Sequence, residues 1–369
     1  MTGKRKGPPP EKRPPITHFL CLPLVNLNSI PQLEASIAAF KKDNPPVPVA
    51  DLLQNHAQPS RDASRPPIPE GAIRPLGTLH LTLGVMSLPS KRRLDEAISF
   101  LRSLDLAKLM HEAEQVALRK KKRNSPKPAN DVARPPKPLS ISLESLHALP
   151  RANSATVLHA SPVDSTGRLY PFCLMLRDKF LEAGFLIEST GNTKNKEPAR
   201  SSVPDRKQNQ PGLSSARETT ELDPYAAALA RQSKLRPLLL HATIVNTIYV
   251  RQPKPARGSS NSTTQSAKGK KTVTRFEFDA RKLLDRYKDY YADEARTVPR
   301  RQAVSTPPSA SVPAKPKHPF VWAKTIPIDS VTICEMGAKK LDLDGDTDGL
   351  KARLGQEYTT VARRGFGPR

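Results

Sequence analysis

One short pattern occurs twice in this sequence: a histidine and a threonine that alternate with apolar residues. Residues 79–83 are Leu-His-Leu-Thr-Leu, and residues 240–244 are Leu-His-Ala-Thr-Ile. Successive side chains of a β-strand point to opposite faces, so each pentapeptide would bury its apolar side chains and present an imidazole beside a hydroxyl. The repeat therefore predicts two strands whose polar faces line one cleft. Two imidazoles and two hydroxyls can perform acid–base chemistry on a phosphate ester without a metal.

The polar side chains of the repeat are His80 and Thr82 in the first copy and His241 and Thr243 in the second. The alternative interpretation is a pair of core strands whose histidines are merely hydrogen-bonded. Apolar residues on both sides of each histidine, and a threonine in both copies, favour a functional pair.

A third triplet of this kind is expected to be a decoy. His159 lies in Leu-His-Ala-Ser, and a chain with 8 histidines and many hydroxyl residues contains such triplets by chance. Pro162 follows closely and would end a strand ladder. We therefore do not expect His159 to be catalytic.

Similarity to a known family extends beyond the two motifs. The stretches that carry it are residues 17–24, 74–83, 236–243 and 331–338. Paired H-x-[ST]-x motifs in this setting resemble the 2H phosphoesterase superfamily, in its A-kinase-anchoring-protein-7-like branch, to which the phosphoesterase domain of activating signal cointegrator 1 complex subunit 1 is related. The resemblance runs with interruptions from about residue 16 to 340. It departs in its insertions, because 161 positions separate the two motif histidines.

The resemblance implies an α+β fold with two lobes, in which two largely antiparallel sheets flanked by helices surround a central cleft. It also implies roles for the motif residues. His80 and His241 would be general acid and general base in an order that the sequence leaves open, and Thr82 and Thr243 would bind the phosphate. No cofactor or metal is implied. The aspartates between residues 342 and 348 resemble part of a calcium loop, but they lack its terminal glutamate.

One further residue is a candidate for substrate binding. Tyr249 lies six positions after Thr243 and would share its face of a continuous strand, where an aromatic ring could stack on a base. The alternative is an ordinary core or surface tyrosine at the end of the strand.

The sequence therefore predicts a metal-independent phosphoesterase that hydrolyses or transesterifies a ribonucleotide phosphodiester, either a 2′,3′-cyclic phosphate or a 2′-5′ linkage. The alternative is a nucleotide- or RNA-binding module without turnover, within a nuclear coactivator or repair complex. A scaffold protein is a third class. The enzyme is favoured because both motifs are intact.

Composition and charge indicate how the chain is organised. With 39 prolines, 5% aromatic residues and a mean hydropathy of −0.54, the 369 residues predict an ordered core interrupted by disordered segments. The net charge is +25, of which +4, +7, +6 and +4 lie in the segments 1–15, 119–138, 251–271 and 299–318. Such arms favour polyanions and nuclear import, the alternative being solvated linkers without a partner.

The expected organisation is a basic tail at 1–15, a single domain at 16–340 and a polar tail at 341–369. Disordered insertions are expected near 43–70, 119–138, 189–223, 251–271 and 297–318. Strands are expected at 16–25, 77–88, 139–149, 155–160, 237–250, 273–278, 320–326 and 330–336, and helices at 31–40, 90–118, 170–184, 226–235 and 280–291.

The sequence also carries expectations about location. The N-terminal segment lacks the apolar region of a secretory signal, no apolar run has the length of a membrane span, and the three cysteines occupy scattered apolar positions. We expect an intracellular monomer in the nucleus, the cytoplasm or both, with no membrane association.

Overall fold

The computed structural model describes residues 14–54, 68–124, 138–187, 223–232, 235–250, 276–288, 290–291 and 317–366. Nearly all of the predicted tail 1–15 and of the predicted insertions 189–223, 251–271 and 297–318 lies outside these residues. Residues 273–275 of one expected strand also lie outside them.

The strands of the described residues form one large sheet and two short ribbons. They are β1 (His18–Pro23), β2 (His80–Met86), β3 (Ser140–Arg151), β4 (Ser154–Val163), β5 (Ala242–Asn246), β6 (Tyr290–Tyr291), β7 (Lys317–His318), β8 (Val321–Pro327), β9 (Ser330–Glu335), β10 (Lys339–Lys340), β11 (Gln356–Glu357) and β12 (Thr360–Gly365). The large sheet has the order β12-β9-β1-β2-β5-β4-β3-β8, and its neighbouring strands are antiparallel. The ribbons pair β10 with β11 and β6 with β7.

The large sheet consists of two four-stranded halves that meet at β2 and β5. A single residue pair, Leu81 opposite Ala242, joins these two strands. The α+β class and the antiparallel pairing are therefore confirmed, and the two expected sheets are in contact as halves of one. The expected strand 237–250 is shortened to β5. A 3₁₀ turn, Thr247–Tyr249, follows β5, with the Asn246 side chain accepting a hydrogen bond from the backbone N–H of Ile248.

Helices cover the apolar face of each half. They are α1 (Ile30–Asp43), α2 (Val49–Gln54), α3 (Lys91–Ser103), α4 (Leu106–Asn124), α5 (Leu169–Glu182), α6 (Pro224–Gln232), α7 (Arg281–Lys288) and α8 (Leu350–Leu354). Helices α1 and α7 pack against β8 and β3, whereas α3 and α5 pack against β12 and β2. Because α1 follows β1 in one half and packs against β8 in the other, it ties the two halves together.

An aromatic cluster forms the centre of the core beneath β3 and β8. The rings of Phe40, Tyr287 and Phe320 surround Trp322, whose side chain is fully buried. The indole Nε1–H donates a hydrogen bond of 2.7 Å to the carbonyl oxygen of Ser145. The cluster thus connects α1 and α7 to this half of the sheet by packing and by a satisfied buried donor.

The expected polar tail at 341–369 is corrected by the structure. Residues 350–365 form α8, β11 and β12, and β12 pairs with β9 at the edge of the large sheet. The sequence signal is weak because an edge strand needs few inward apolar residues and tolerates charges. Here Ala362 is the inward residue, and Arg363 and Arg364 lie beside it.

Two expected insertions include residues that belong to helices or to the core. Helix α4 extends through the basic run 119–123, since lysine and arginine are good helix formers and the first proline comes at residue 126. Arg119 also forms a 2.7 Å ion pair with Asp223. Within the expected loop 43–70, residues 49–54 form α2 and Ile68 is buried.

Among the described residues, no helix combines the length and the apolar character that are needed to cross a bilayer.

The aromatic cluster generates a prediction about stability. Trp322→Ala should lower the free energy of unfolding by about 3–5 kcal/mol, because it removes the largest buried ring and leaves a cavity. Trp322→Phe should cost less, about 1–3 kcal/mol, because a ring remains while the Ser145 carbonyl loses its donor. Urea denaturation followed by circular dichroism measures both. Leu343→Ala, at an exposed leucine, is the control; equal losses in Trp322→Ala and the control would contradict the description of the core.

Candidate active site

The four motif side chains lie on one face of the sheet. In β2 the flanking Leu81 and Leu83 are buried, as are Ala242 and Ile244 in β5, while the intervening histidines and threonines are half-buried. The alternation inferred from the sequence is therefore present in both strands.

The register between β2 and β5 places the motifs against each other. Antiparallel strands are counted in opposite directions, so the Leu81–Ala242 pair puts His80 opposite Thr243 and Thr82 opposite His241. Residues directly opposite each other have Cα atoms about 4.5–5.5 Å apart. The two histidines thus occupy one diagonal of a four-residue square, and the two threonines occupy the other.

Both imidazoles are held by the same hydrogen bond. Nδ1 of His80 lies 2.8 Å from the carbonyl oxygen of Thr78, and Nδ1 of His241 lies 2.9 Å from that of Leu239. A carbonyl oxygen can only accept, so each Nδ1 must carry the hydrogen and donate it. Nε2 of each ring is then left to accept a proton when the ring is neutral, or to donate one when it is charged.

His80 lies in a more apolar setting than its position on an open sheet face suggests. The centroid of the Phe19 ring lies 4.8 Å from that of the His80 imidazole. The Tyr358 ring contacts the imidazole edge-on, with a centroid distance of 5.2 Å. Burial is the main reason that the pKa of His80 is lowered to about 4, and the charges of Arg74 and His241 lower it further against the opposing effect of the Thr78 hydrogen bond. The His80 imidazole is therefore neutral at neutral pH and can serve as a base.

His241 contacts a second histidine, His159. Their rings are 5.0 Å apart, and His147 contacts the far side of His159 at 5.5 Å. His159 is only 4% exposed, and its pKa is lowered to about 4, mainly by burial and then by the charges of His241 and His147.

The expectation that Pro162 ends the strand at His159 is wrong. Strand β4 continues to Val163, and Pro162 pairs with Leu143 of β3. The pairing of β4 with β5 ends at Ala160, so Pro162 needs no donor on that side. The sequence argument against His159 thus fails, and the structure places His159 beside the site, opposite Thr243.

Tyr249 reaches the site by a route other than the predicted strand. It lies in the 3₁₀ turn after β5, with its ring 3.9 Å from the Arg74 guanidinium carbon. Its hydroxyl lies 3.5 Å from that of Tyr358, and 45% of the residue is exposed. Base stacking on Tyr249 stays a prediction.

Arg74 and Tyr358 are neighbours of the site that the sequence argument did not identify. Arg74 lies within a stretch that carries the family resemblance, which could have marked it as a candidate. Tyr358 lies in the expected polar tail and offered no such signal. It reaches His80 because Gly77 permits close approach of the C-terminal segment: a Cβ at Gly77 would collide with the carbonyl oxygen of Gln356.

In the described part of the chain, no group of three or more His, Cys, Asp or Glu side chains is arranged to hold a metal ion.

Comparison with known proteins identifies a family. The model of the AKAP7 2'5' RNA ligase-like domain matches residues 16–298, which is more than half of the chain. Curated protein sequences give no significant match.

Similar solved structures include a phosphoesterase (11% identity, TM-score 0.34), E. coli LigT complexed with 3'-AMP (12%, 0.34) and the TT0787 protein of Thermus thermophilus (11%, 0.31). Each alignment covers 96% of this chain, and 100%, 99% and 100% of the respective structures.

The buried His159 generates a prediction about pH. In the unfolded chain this imidazole takes up a proton near pH 6.5, whereas in the folded protein it resists protonation until about pH 4. Its contribution to stability is therefore complete above pH 6.5 and is lost as the pH falls towards 4. Lowering the pH from 7 to 5 should reduce the free energy of unfolding of the wild type. It should reduce that of His159→Phe by up to about 2 kcal/mol less, because the variant has no imidazole to protonate. Urea denaturation at the two pH values measures both changes. If the free energy of unfolding falls equally in the wild type and in His159→Phe, the description of His159 as a buried neutral imidazole is wrong.

Proposed function

Because the chain belongs to the AKAP7 2'5' RNA ligase-like domain family, within the 2H phosphoesterase superfamily, we propose that it cleaves a ribonucleotide phosphodiester with its two motif histidines as base and acid. The observation that supports this best is the shared anchoring of the rings: Nδ1 of each donates to a backbone carbonyl, which frees each Nε2 for proton transfer. Side chains held only for packing would not require the same tautomer at both ends of the diagonal.

The surroundings of the two histidines support an assignment of their roles. His80, with a pKa of about 4, is neutral, so its Nε2 accepts the proton of the nucleophile, which is water or a ribose hydroxyl. His241 donates the proton on its Nε2 to the leaving ribose oxygen as the bond from phosphorus to that oxygen breaks. His80 thus gains a proton as His241 loses one. In the reverse reaction His80 would act as the acid and His241 as the base.

The threonines lie on the other diagonal, where they flank the position of the phosphate. The hydroxyls of Thr82 and Thr243 donate to the non-bridging oxygens and stabilise the negative charge that grows there. This arrangement suits a small phosphodiester such as a 2′,3′-cyclic phosphate or a 2′-5′ linkage, and the partly exposed ring of Tyr249 offers a surface for its base.

A role for the basic segments in nucleic-acid binding is part of this proposal. The last turn of α4 presents Lys121, Lys122 and Arg123 to solvent. Clustered cations attract the phosphate backbone of RNA at any sequence, and they leave the chemistry to the cleft.

The histidine pair generates the main prediction. His80→Ala and His241→Ala should each lower kcat/KM on 2′,3′-cyclic AMP or 2′-5′ oligoadenylate by about 10²–10⁴-fold. The double variant should lose far less than the product of the two, because the residues act in one step. Thr82→Val and Thr243→Val should cost about 10–10³-fold. The pH–rate profile should be bell-shaped and lose one limb in each histidine variant.

Three outcomes are decisive. Turnover that survives both His→Ala changes, or that stops in EDTA, would show that the two-histidine mechanism is wrong. If every variant folds and binds nucleotide as the wild type does, and the wild type turns over neither substrate, the binding module without turnover takes its place. His111→Ala, at an exposed histidine of α4, is the matched control.

The basic end of α4 generates a separate prediction. Replacing Lys121, Lys122 and Arg123 by glutamine should weaken RNA binding. It should also reduce the slope of log affinity against log salt concentration by about 0.7–0.9 for each phosphate that is no longer neutralised. Glutamine keeps the helix, and turnover of a dinucleotide should stay near the wild-type value. Lys91→Gln with Arg92→Gln, at the exposed start of α3, is the control for net charge. A large loss of dinucleotide turnover in the folded triple variant would place these cations in the site.

A further inference from the structure

Arg74 is a buried cation without a carboxylate partner among the described residues. It is 6% exposed, and its one side-chain hydrogen bond within this part of the chain runs from Nη2 to the hydroxyl of Tyr358 over a long 3.4 Å. By contrast, the partly buried Arg286 is paired with Asp43 at 3.2 Å. Buried charges in folded proteins are normally paired and fully hydrogen-bonded, because removing them from water is costly.

The contacts of Arg74 stabilise its guanidinium only partly. The ring of Tyr249 lies 3.9 Å below it, in the geometry of a cation–π contact. A ring face and one neutral hydroxyl do not supply the negative charge that a buried guanidinium requires. An anionic ligand would therefore complete the electrostatic setting of Arg74.

The location of Arg74 indicates which anion this is. Its backbone N–H donates to the carbonyl oxygen of Ile244 in β5, the strand that begins immediately after His241. Its charge acts on His80, and Tyr358, which accepts its hydrogen bond, also contacts the His80 ring. The guanidinium is thus held beside the cleft, at the junction of the two halves of the sheet.

We propose that Arg74 is the anion-binding residue of the cleft, and that a phosphate group of the substrate supplies the negative charge that its described neighbours do not supply. Tyr249 supports the guanidinium from one side, and the Tyr358 hydroxyl orients it. A planar guanidinium can bind two phosphate oxygens at once, which Thr82 and Thr243 cannot do with single hydroxyls. The proposal rests on the proposed function for the identity of the ligand.

Thermal unfolding with inorganic phosphate as the probe tests this, with sodium chloride at equal ionic strength as the reference. Without phosphate, Arg74→Met should unfold at the wild-type temperature or above it, because it removes an uncompensated buried charge. Phosphate should raise the unfolding temperature of the wild type and raise that of Arg74→Met much less, since a ligand stabilises the folded state in proportion to how tightly it binds. Calorimetric phosphate affinity should fall at least about 10-fold in Arg74→Met.

Arg93→Met is the matched control. Arg93 also stacks on an aromatic ring, that of Phe185 at 4.3 Å, but it is paired with Glu96 and lies away from the cleft. This variant should keep the full phosphate shift. Arg74→Lys, which keeps the charge and loses the planar fork, should retain part of it.

The result that overturns the proposal is a purely structural Arg74: the Met variant unfolds at a lower temperature without phosphate, and phosphate still raises that temperature by the wild-type amount. If Arg74→Met does not fold, the Nε–H resonance of Arg74 in the wild type decides the matter by nuclear magnetic resonance, because it must shift on phosphate addition if the proposal holds.

Failure of this inference and failure of the proposed function give different results. If the wild type turns over no phosphodiester but Arg74→Met loses phosphate binding, the anion site stands and the proposed enzymatic function is wrong. If the wild type turns over 2′,3′-cyclic AMP and Arg74→Met does so with an unchanged KM, the proposed enzymatic function stands and the anion site at Arg74 is wrong.

Discussion

The register of β2 against β5 is the constraint on which the candidate site depends. One residue pair, Leu81 with Ala242, sets this register, and both side chains belong to the buried core. A slip by one residue would turn the polar face of one motif towards the core, because side chains in a strand alternate. The burial of these apolar side chains therefore also brings the histidines together. Packing on one face of the sheet thus determines how the polar side chains are arranged on the other.

The two motif histidines share one kind of anchoring hydrogen bond, but their other neighbours differ. Each ring has the same anchor two residues earlier in the chain. Beyond that anchor, His80 is enclosed by Phe19 and Tyr358, whereas His241 has a second imidazole, His159, against it. A repeated motif thus supplies the geometry, and unrelated neighbours give the two rings different environments. An acid and a base can arise in this way from two copies of one pattern.

The sequence predicts those features that depend on local order and misses those that depend on distant contacts. Alternation in two pentapeptides is enough to place His80 and His241 on a common face, and apolar spacing locates α1 and α5. Tyr249 shows the limit, since its predicted face assumed a continuous strand where a capped 3₁₀ turn occurs. His159 shows a second limit, since the local proline rule that argues against it fails where the pairing of β4 with β5 has ended. The proximity of Arg74 and Tyr358 is created by the fold, and no periodicity indicates it.

The edge strand β12 changes what counts as the complete domain. Tyr358 comes 278 positions after His80, and the match to the family model ends at residue 298. A fragment trimmed at that limit would lack β8, β9 and β12, which are three of the eight strands of the large sheet, together with the ring that contacts His80. The length of chain that a family shares and the length that one member needs in order to fold are different quantities. For this protein, the unit suited to crystallisation or enzymology extends at least to residue 366.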